Sequence, residues 1–586
     1  MLNILPSARV AYVVRSIAAI GALALPPAAA QAQNAEPAAN EANALVPVPT
    51  AGAAVPAQGD SFTAAITAIR AGRWTDARNI IDAMRDHDLA AFARSELFLA
   101  GNSPRVEGTD LARLAADAPS LPQAERLNRL AGRRGVTDLT DLPLAQPLTW
   151  AGASSRRGLP RSVDDPALGS LGRTIQDRIT NDDPAGAEAA LTGAVDRLSG
   201  DARTEWQYRV AWSYYIENDD AAARRVATLA QAGSGNWLAM AHWVQGLASW
   251  RSGDCRAAMS AFRNVAGQAD NPETEAAGQF WFARSATACR EAHEAEPALR
   301  RAATLAETFY GQLAAELLGI TPNLGQPMER EDLRRVAALP NVRAARALAA
   351  MGETDLADES LRHQARIGDT RDFRALLAIA ARLNLPATQL YLAHNTPGGI
   401  TPDAVTRYPV PGWVPQSGWR VEPALLFAHS LQESQFRARV VSPAGAVGLM
   451  QVRPGTANDM GLAASGGRLT DPSVNLDLGQ SYIEYLRDLP ATGGLLPKVI
   501  AAYNAGPAPI ARWNSEVRDG GDPLLYIESI PYWETRAYVG IVLRNLWVYE
   551  QEMGRPSNVR AQLAQGQWPR VPLANDARNH DRVAAR

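Results

Sequence analysis

The sequence predicts a mainly all-α protein: an α-superhelical solenoid of helical hairpins, followed by a smaller C-terminal domain. Three observations predict it. From Ser61 to about residue 400, Ala, Leu and Arg dominate, apolar residues recur at helical spacing and β-branched runs are few. The segments "NDDAAARRVATLA" from Asn218 and "SGDCRAAMSAFRNVA" from Ser252 superpose at a step of 34 residues, and "AGRWTDARNIIDAM" from Ala71 has the same turn-then-helix character. Such a step is the length of one helical hairpin, which cannot bury its own apolar face and so stacks on its neighbours. The Pro/Gly/Trp-rich passage "RYPVPGWVPQSGWR", Arg407 to Arg420, then punctuates the chain as a domain crossing does.

With 586 residues the chain exceeds what one core holds, and its elements divide in order. Arg9 and Arg15 precede an apolar run from Ile17 to Leu25, and Ala30-Gln31-Ala32 offers a small-x-small cleavage site. This reads as a signal peptide over residues 1–32, cleaved near Ala32, with a periplasmic destination. The run is too short to span a bilayer, and no later apolar stretch reaches that length, so no transmembrane segment is expected in the mature chain. Residues 33–60, rich in Ala and Pro without helical periodicity, read as a flexible linker, and 61–329 as the superhelical domain. Trp206, Trp212, Trp237, Trp243, Trp250 and Trp281 fall within it and are expected to pack between hairpins rather than stack on sugars. Cys255 and Cys289 are either bridged, as an exported chain permits, or two buried thiols. Residues 557–586, polar and rich in Arg, Asn and Asp, read as a disordered tail.

Composition excludes several functions. A net charge of −3 leaves no basic footprint, so no nucleic-acid partner is expected. Lys498 is the single lysine, which removes a Walker-type phosphate loop and leaves Schiff-base chemistry one poor candidate. The 7 histidines and 2 cysteines show no metal-ligand spacing, so neither metal nor cofactor is expected.

Chemistry concentrates after Val421. "VEPALLFAHSLQ" reads as a helix, with Pro423 in its first turn and an apolar stripe of Ala424, Phe427, Ala428 and Leu431. Glu433 follows at its C-terminal end, where the helix dipole and partial burial would raise its pKa and suit it to general acid work. Next, "SPAGAVGLMQ", Ser442 to Gln451, sets glycines beside polar residues, which lets backbone approach a ligand closely. "AAYNAGP" places Tyr503 and Asn504 before a glycine turn, and "YIESIPYWETRAYV", Tyr526 to Val539, gathers Glu528, Glu534, Arg536 and Tyr538.

Taken together, Glu433-Ser434, "GLMQ", "AYNAG" and "IPYWETRAYV" resemble the soluble lytic murein transglycosylases, whose catalytic domain is lysozyme-like. The resemblance covers about residues 415–555, so residues 407–556 are expected to form that domain, α-rich with minor β content. It also implies a helical linker domain over 330–406 between superhelix and catalytic domain. Carried across residue by residue, it makes Glu433 the single acid/base and places Ser442, Met450, Gln451, Tyr503 and Glu534 along a saccharide cleft. Ser434 and Asn504 join them as matched substrate-binding positions with less defined roles. His429, in the helix before Glu433, and Trp533 depart from the family pattern without replacing a motif residue.

The reaction so implied is non-hydrolytic cleavage of the β-1,4 bond between N-acetylmuramic acid and N-acetylglucosamine in peptidoglycan, leaving 1,6-anhydromuramic acid ends. Glycan strands are the expected partner, with the superhelix open to protein partners. Two alternatives stand beside it: a goose-type lysozyme-like hydrolase with the same Glu and water as acceptor, and a non-catalytic glycan-binding scaffold.

Overall fold

The computed structural model describes residues 57–574 apart from residues 155, 326–329 and 461–467. The expected signal peptide and most of the linker lie outside the described residues. A first helix runs Ala57–Arg70, a few residues before the expected boundary.

The hairpin stack is clearest between Gly200 and Ala288, in helices Gly200–Ile216, Asp220–Ala230, Leu238–Arg251, Cys255–Gln268 and Pro272–Ala288. Their starts are fixed locally. Asp219 accepts from the Ala222 amide and Asp254 from the Ala257 amide, each after a left-handed turn residue, Asn218 at φ 64° and Gly253 at φ 77°. Asn271 caps the next helix, with Pro272 in its first turn. The caps therefore repeat at 35 residues, and so do the buried faces: Ala223, Val226, Ala227 and Ala230 against Ala258, Ala261, Phe262 and Val265. The sequence superposition ran one residue short because it aligned Asp220 with Asp254, whereas Asp219 is the capping aspartate.

Cys255 and Cys289 are bridged, with Cα atoms 5.5 Å apart. The bond ties the first residue of one helix to the C-cap of the next. Trp206, Trp237, Trp243 and Trp281 are buried, with Trp212 and Trp250 packed against the same core. Trp243, Trp250 and Phe262 all contact the Trp281 ring, so these aromatics pack hairpins together.

The cores divide the molecule differently from a linear reading. One joins residues 62–131 to residues 333–393. Arg70 forms a two-pronged bond to Glu353 at 2.9 and 2.7 Å, and Asn341 Nδ2 donates to the Ser120 carbonyl at 2.8 Å. Thr149–Trp150 pairs antiparallel with Asn395–Thr396. The run from 57 to 396 thus returns on itself. The second core joins residues 175–324 to the C-terminal domain. Across that seam Phe309 stacks on Trp547 at 5.1 Å, Arg284 pairs with Asp522 at 2.8 Å, and Tyr310 donates to Glu528 at 2.6 Å.

The disordered-tail expectation is corrected as far as residue 574. Ser557 caps a helix, Asn558–Ala564, and Arg560 pairs with Glu316 at 2.7 Å. The following strand-like segment receives amides from Leu496, onto the Pro569 carbonyl at 2.8 Å, and from Glu422, onto the Pro572 carbonyl at 3.1 Å. Polar composition suggested disorder, but Val559, Leu563 and Val571 are buried.

Candidate active site

Glu433 stands in the last turn of the helix Pro423–Ser434. The helix stops because the next two residues are left-handed, Gln435 at φ 54° and Phe436 at φ 59°. Two consecutive non-glycine residues there cost roughly 1–2 kcal/mol each. Burial of the Phe436 ring against Trp413 and Phe427 offsets that cost, and Arg437 Nε donates to the Ser434 carbonyl at 2.8 Å.

The Glu433 carboxyl is half-buried, and Tyr538 Oη donates to its Oε1 at 2.6 Å. Burial pushes its pKa up to about 7, the Tyr538 hydrogen bond opposing and the Glu534 charge reinforcing. Near neutral pH it is therefore divided between acid and base forms. Glu534, in the first turn of the helix Trp533–Glu552, is itself raised by burial.

Behind Glu433 lies a polar chain. Tyr538 Oη is 2.8 Å from His429 Nδ1, the His429 ring lies 4.5 Å from that of Tyr503, and Tyr503 Oη donates to the Met450 carbonyl at 2.7 Å. Asn504 Oδ1 accepts from Thr535 Oγ1 at 2.6 Å, joining the helix Leu496–Ala505 to the one that carries Glu534 and Tyr538.

The glycine loop is folded by its own polar groups. Ser442 Oγ accepts from the Ala446 amide at 3.0 Å, and Gln451 Nε2 donates to the Gly448 carbonyl at 2.9 Å. Gly448, at φ 81°, lies so close to Asn475 and Leu469 that a Cβ there would sit 2.4 Å from either. Asn475 organises the loop: Oδ1 accepts from the Met450 amide at 2.8 Å, and Nδ2 donates to the Val447 and Leu469 carbonyls at 2.9 and 2.8 Å.

The expected site residues therefore separate. Glu433, Tyr503 and Glu534 converge, and Asn504 braces the helices behind them. Ser442 and Gln451 are partly exposed in a loop whose end, the Met450 carbonyl, anchors Tyr503. Two expectations are corrected. Ser434 is fully buried and spends its hydroxyl on the Ser430 carbonyl at 3.1 Å, so it offers no surface to a saccharide. Met450 contributes its backbone, since its side chain is also fully buried against Gly479.

Sequence reasoning named Tyr538 and His429 without giving either a role at the site, and it missed Asn475. The first two had a signal, since each lies four residues from a chosen glutamate on a helix, where side chains share a face. Asn475 had none, because its role arises only when the loop folds onto it. Among the described residues no group of three His, Cys, Asp or Glu is placed to hold a metal, and no helix is long and apolar enough to cross a membrane.

Residues 414–524 match the family model described as the transglycosylase SLT domain. The soluble lytic murein transglycosylase of Escherichia coli K12 is 36% identical over 144 residues, which are 24% of this chain and 22% of that protein. Its Salmonella typhimurium counterpart is 33% identical over 174 residues, covering 29% and 25% respectively. The matched stretch thus spans about a quarter of these relatives' length or less. The crystal structure of the 70 kDa soluble lytic transglycosylase from Escherichia coli superposes with a TM-score of 0.53 and 17% identity, over 88% of this chain and all of that one. That likeness extends the shared fold through the superhelix, well beyond the residues that the family model matches. Over residues 414–524, then, this chain is similar to the transglycosylase SLT domain.

Proposed function

We propose that the protein cleaves the glycan strands of peptidoglycan as a lytic transglycosylase, with Glu433 as acid and then base. The observation that carries the reading is the Glu433 carboxyl itself: half-buried, bonded by a neutral phenol rather than a cation, and raised to about 7. Protonated, it delivers a proton to the glycosidic oxygen between N-acetylmuramic acid and N-acetylglucosamine as the C1–O bond breaks. The substrate's own N-acetyl group, rather than a second carboxylate, stabilises the positive C1. Glu433, now ionised and held by Tyr538, takes the proton from the muramic C6 hydroxyl. The C6 oxygen attacks C1, closes the 1,6-anhydro ring and consumes no water.

Tyr503, Gln451, Ser442 and Glu534 are assigned to the saccharide cleft, with Asn504 bracing it. A periplasmic location follows from the N-terminal signal and from the substrate. The test is mass spectrometry of products released from purified peptidoglycan by the full chain, beside Glu433→Gln. Products lighter than hydrolysed muropeptides by one water, absent with the variant, are expected. Products of hydrolytic mass would assign the protein to the lysozyme-like hydrolases, and binding without any product would support the scaffold.

A further inference from the structure

His429 lies one helical turn before Glu433, so both side chains leave the Pro423–Ser434 helix on one face. Both reach the same hydroxyl, His429 Nδ1 at 2.8 Å from Tyr538 Oη and Glu433 Oε1 at 2.6 Å. A phenol has a single proton to give. When that proton is directed at ionised Glu433, the Tyr538 oxygen is left as an acceptor, and the proton of the second hydrogen bond has to come from His429.

We propose that His429 is a positioning residue for the Glu433 acid/base, donating Nδ1–H to Tyr538 and thereby committing the Tyr538 proton to the Glu433 carboxylate. The proposal rests on the reading of Glu433 given above. A core histidine satisfied for stability alone needs only some acceptor or donor, whereas this one is bonded to the hydroxyl that touches the acid. Its ring is 1% exposed, so water does not compete for Nδ1. Burial lowers its pKa to about 3, so the imidazole stays neutral with one N–H to place. Tyr503, with its hydroxyl fixed on the Met450 carbonyl, lies against the ring and limits its rotation.

The groups facing this chain are Glu534 and Tyr538 from the helix Trp533–Glu552, Tyr503 from the helix Leu496–Ala505, and Tyr482 of the helix Pro472–Asp488, which packs on Tyr503 at 5.4 Å. None of them is a cation. A lysine or arginine in place of His429 would hold Glu433 ionised and abolish its acid form. A neutral N–H acting through a phenol steadies the ionised form without locking it, which a group working in both directions needs.

Two measurements test this on the full chain. In wild-type protein with isotope-labelled histidine, NMR should show the Nδ1–H tautomer at His429, identified by loss of its signal in His429→Asn. An Nε2–H tautomer overturns the proposal. In pH profiles of kcat/KM on purified peptidoglycan, His429→Leu should move the alkaline limb up by about half a unit, because the ionised form of Glu433 loses support. Its kcat should fall roughly 3- to 10-fold. His429→Asn, whose side-chain amide can stand where Nδ1 stands, should restore the limb. A limb that stays or moves down in His429→Leu, or an asparagine variant no better than the leucine one, overturns it. Were the wild type to cleave no glycan, the assignment of Glu433 would fall, while the tautomer would still decide the hydrogen bond.

Discussion

Two glutamates, Glu433 and Glu528, show how differently the candidate site and the seam treat charge. Glu528, at the seam with the superhelix, is 1% exposed and receives both the Arg157 guanidinium and the Tyr310 hydroxyl. Arg157 in turn lies 4.6 Å over the Trp243 ring, so the ion pair is built into the hairpin stack. Glu433 keeps partial access to solvent, receives only a phenol, and has another carboxylate as its charged neighbour. The seam neutralises its acid and uses it to fix two domains. The surroundings of Glu433 withhold a cation, as its proposed role of proton carrier requires.

The largest expected effect lies on the cleft side. Glu433→Gln should lower kcat by roughly 100- to 10,000-fold while leaving glycan binding and the unfolding midpoint near wild type. Wild-type-like turnover would remove Glu433 from the reaction. On the seam side the effect moves from rate to stability. Arg157→Met leaves Glu528 buried without its cation and should destabilise the protein by about 3–5 kcal/mol in chemical denaturation. Adding Glu528→Gln should recover most of that loss, because a neutral amide no longer needs a counter-charge. If the single substitution costs as little as an exposed ion pair, the seam is not held by charge.

The hairpin stack comes next. Replacing Cys255 and Cys289 together by serine frees a 34-residue loop in the unfolded chain and should cost roughly 3–4 kcal/mol. The bond lies in the superhelix, outside the C-terminal domain that carries Glu433, so the product masses should not change.

Legibility followed how local each cause is. The hairpins could be read because each cap and each apolar face is set by residues a few positions apart, although the register slipped by one where two aspartates adjoin at 219 and 220. Glu433 was singled out by its motif, and the structure places it half-buried beside Tyr538. Ser434 could not be judged, because whether a hydroxyl faces a ligand or the preceding turn depends on the left-handed stop at Gln435. The sharing of one core by residues 62–131 and 333–393 was also hidden, since no local pattern announces a contact across more than 200 residues. The tail was misread for the same reason: its partners, Leu496 and Glu422, are distant in sequence.

The smallest effect is the most specific to the comparison. Folding raises the Glu433 pKa from 4.5 to about 7. Between those pH values the native state keeps a proton that the unfolded chain has released, so this group's contribution to stability falls as pH rises through the window and is level beyond it. Solvent at the half-buried carboxyl screens the effect and keeps it below the losses expected at the seam. Glutamine at 433 has no proton to lose. The unfolding midpoint of the wild type relative to Glu433→Gln should therefore drop between pH 4.5 and pH 7.5. Other raised carboxyls, such as Glu550 at about 8 and Asp358 at about 6, act equally in both proteins and cancel in the difference. A midpoint gap that holds constant across this range would mean that Glu433 ionises in the fold as easily as in the open chain, and the contrast with Glu528 would lose its electrostatic basis.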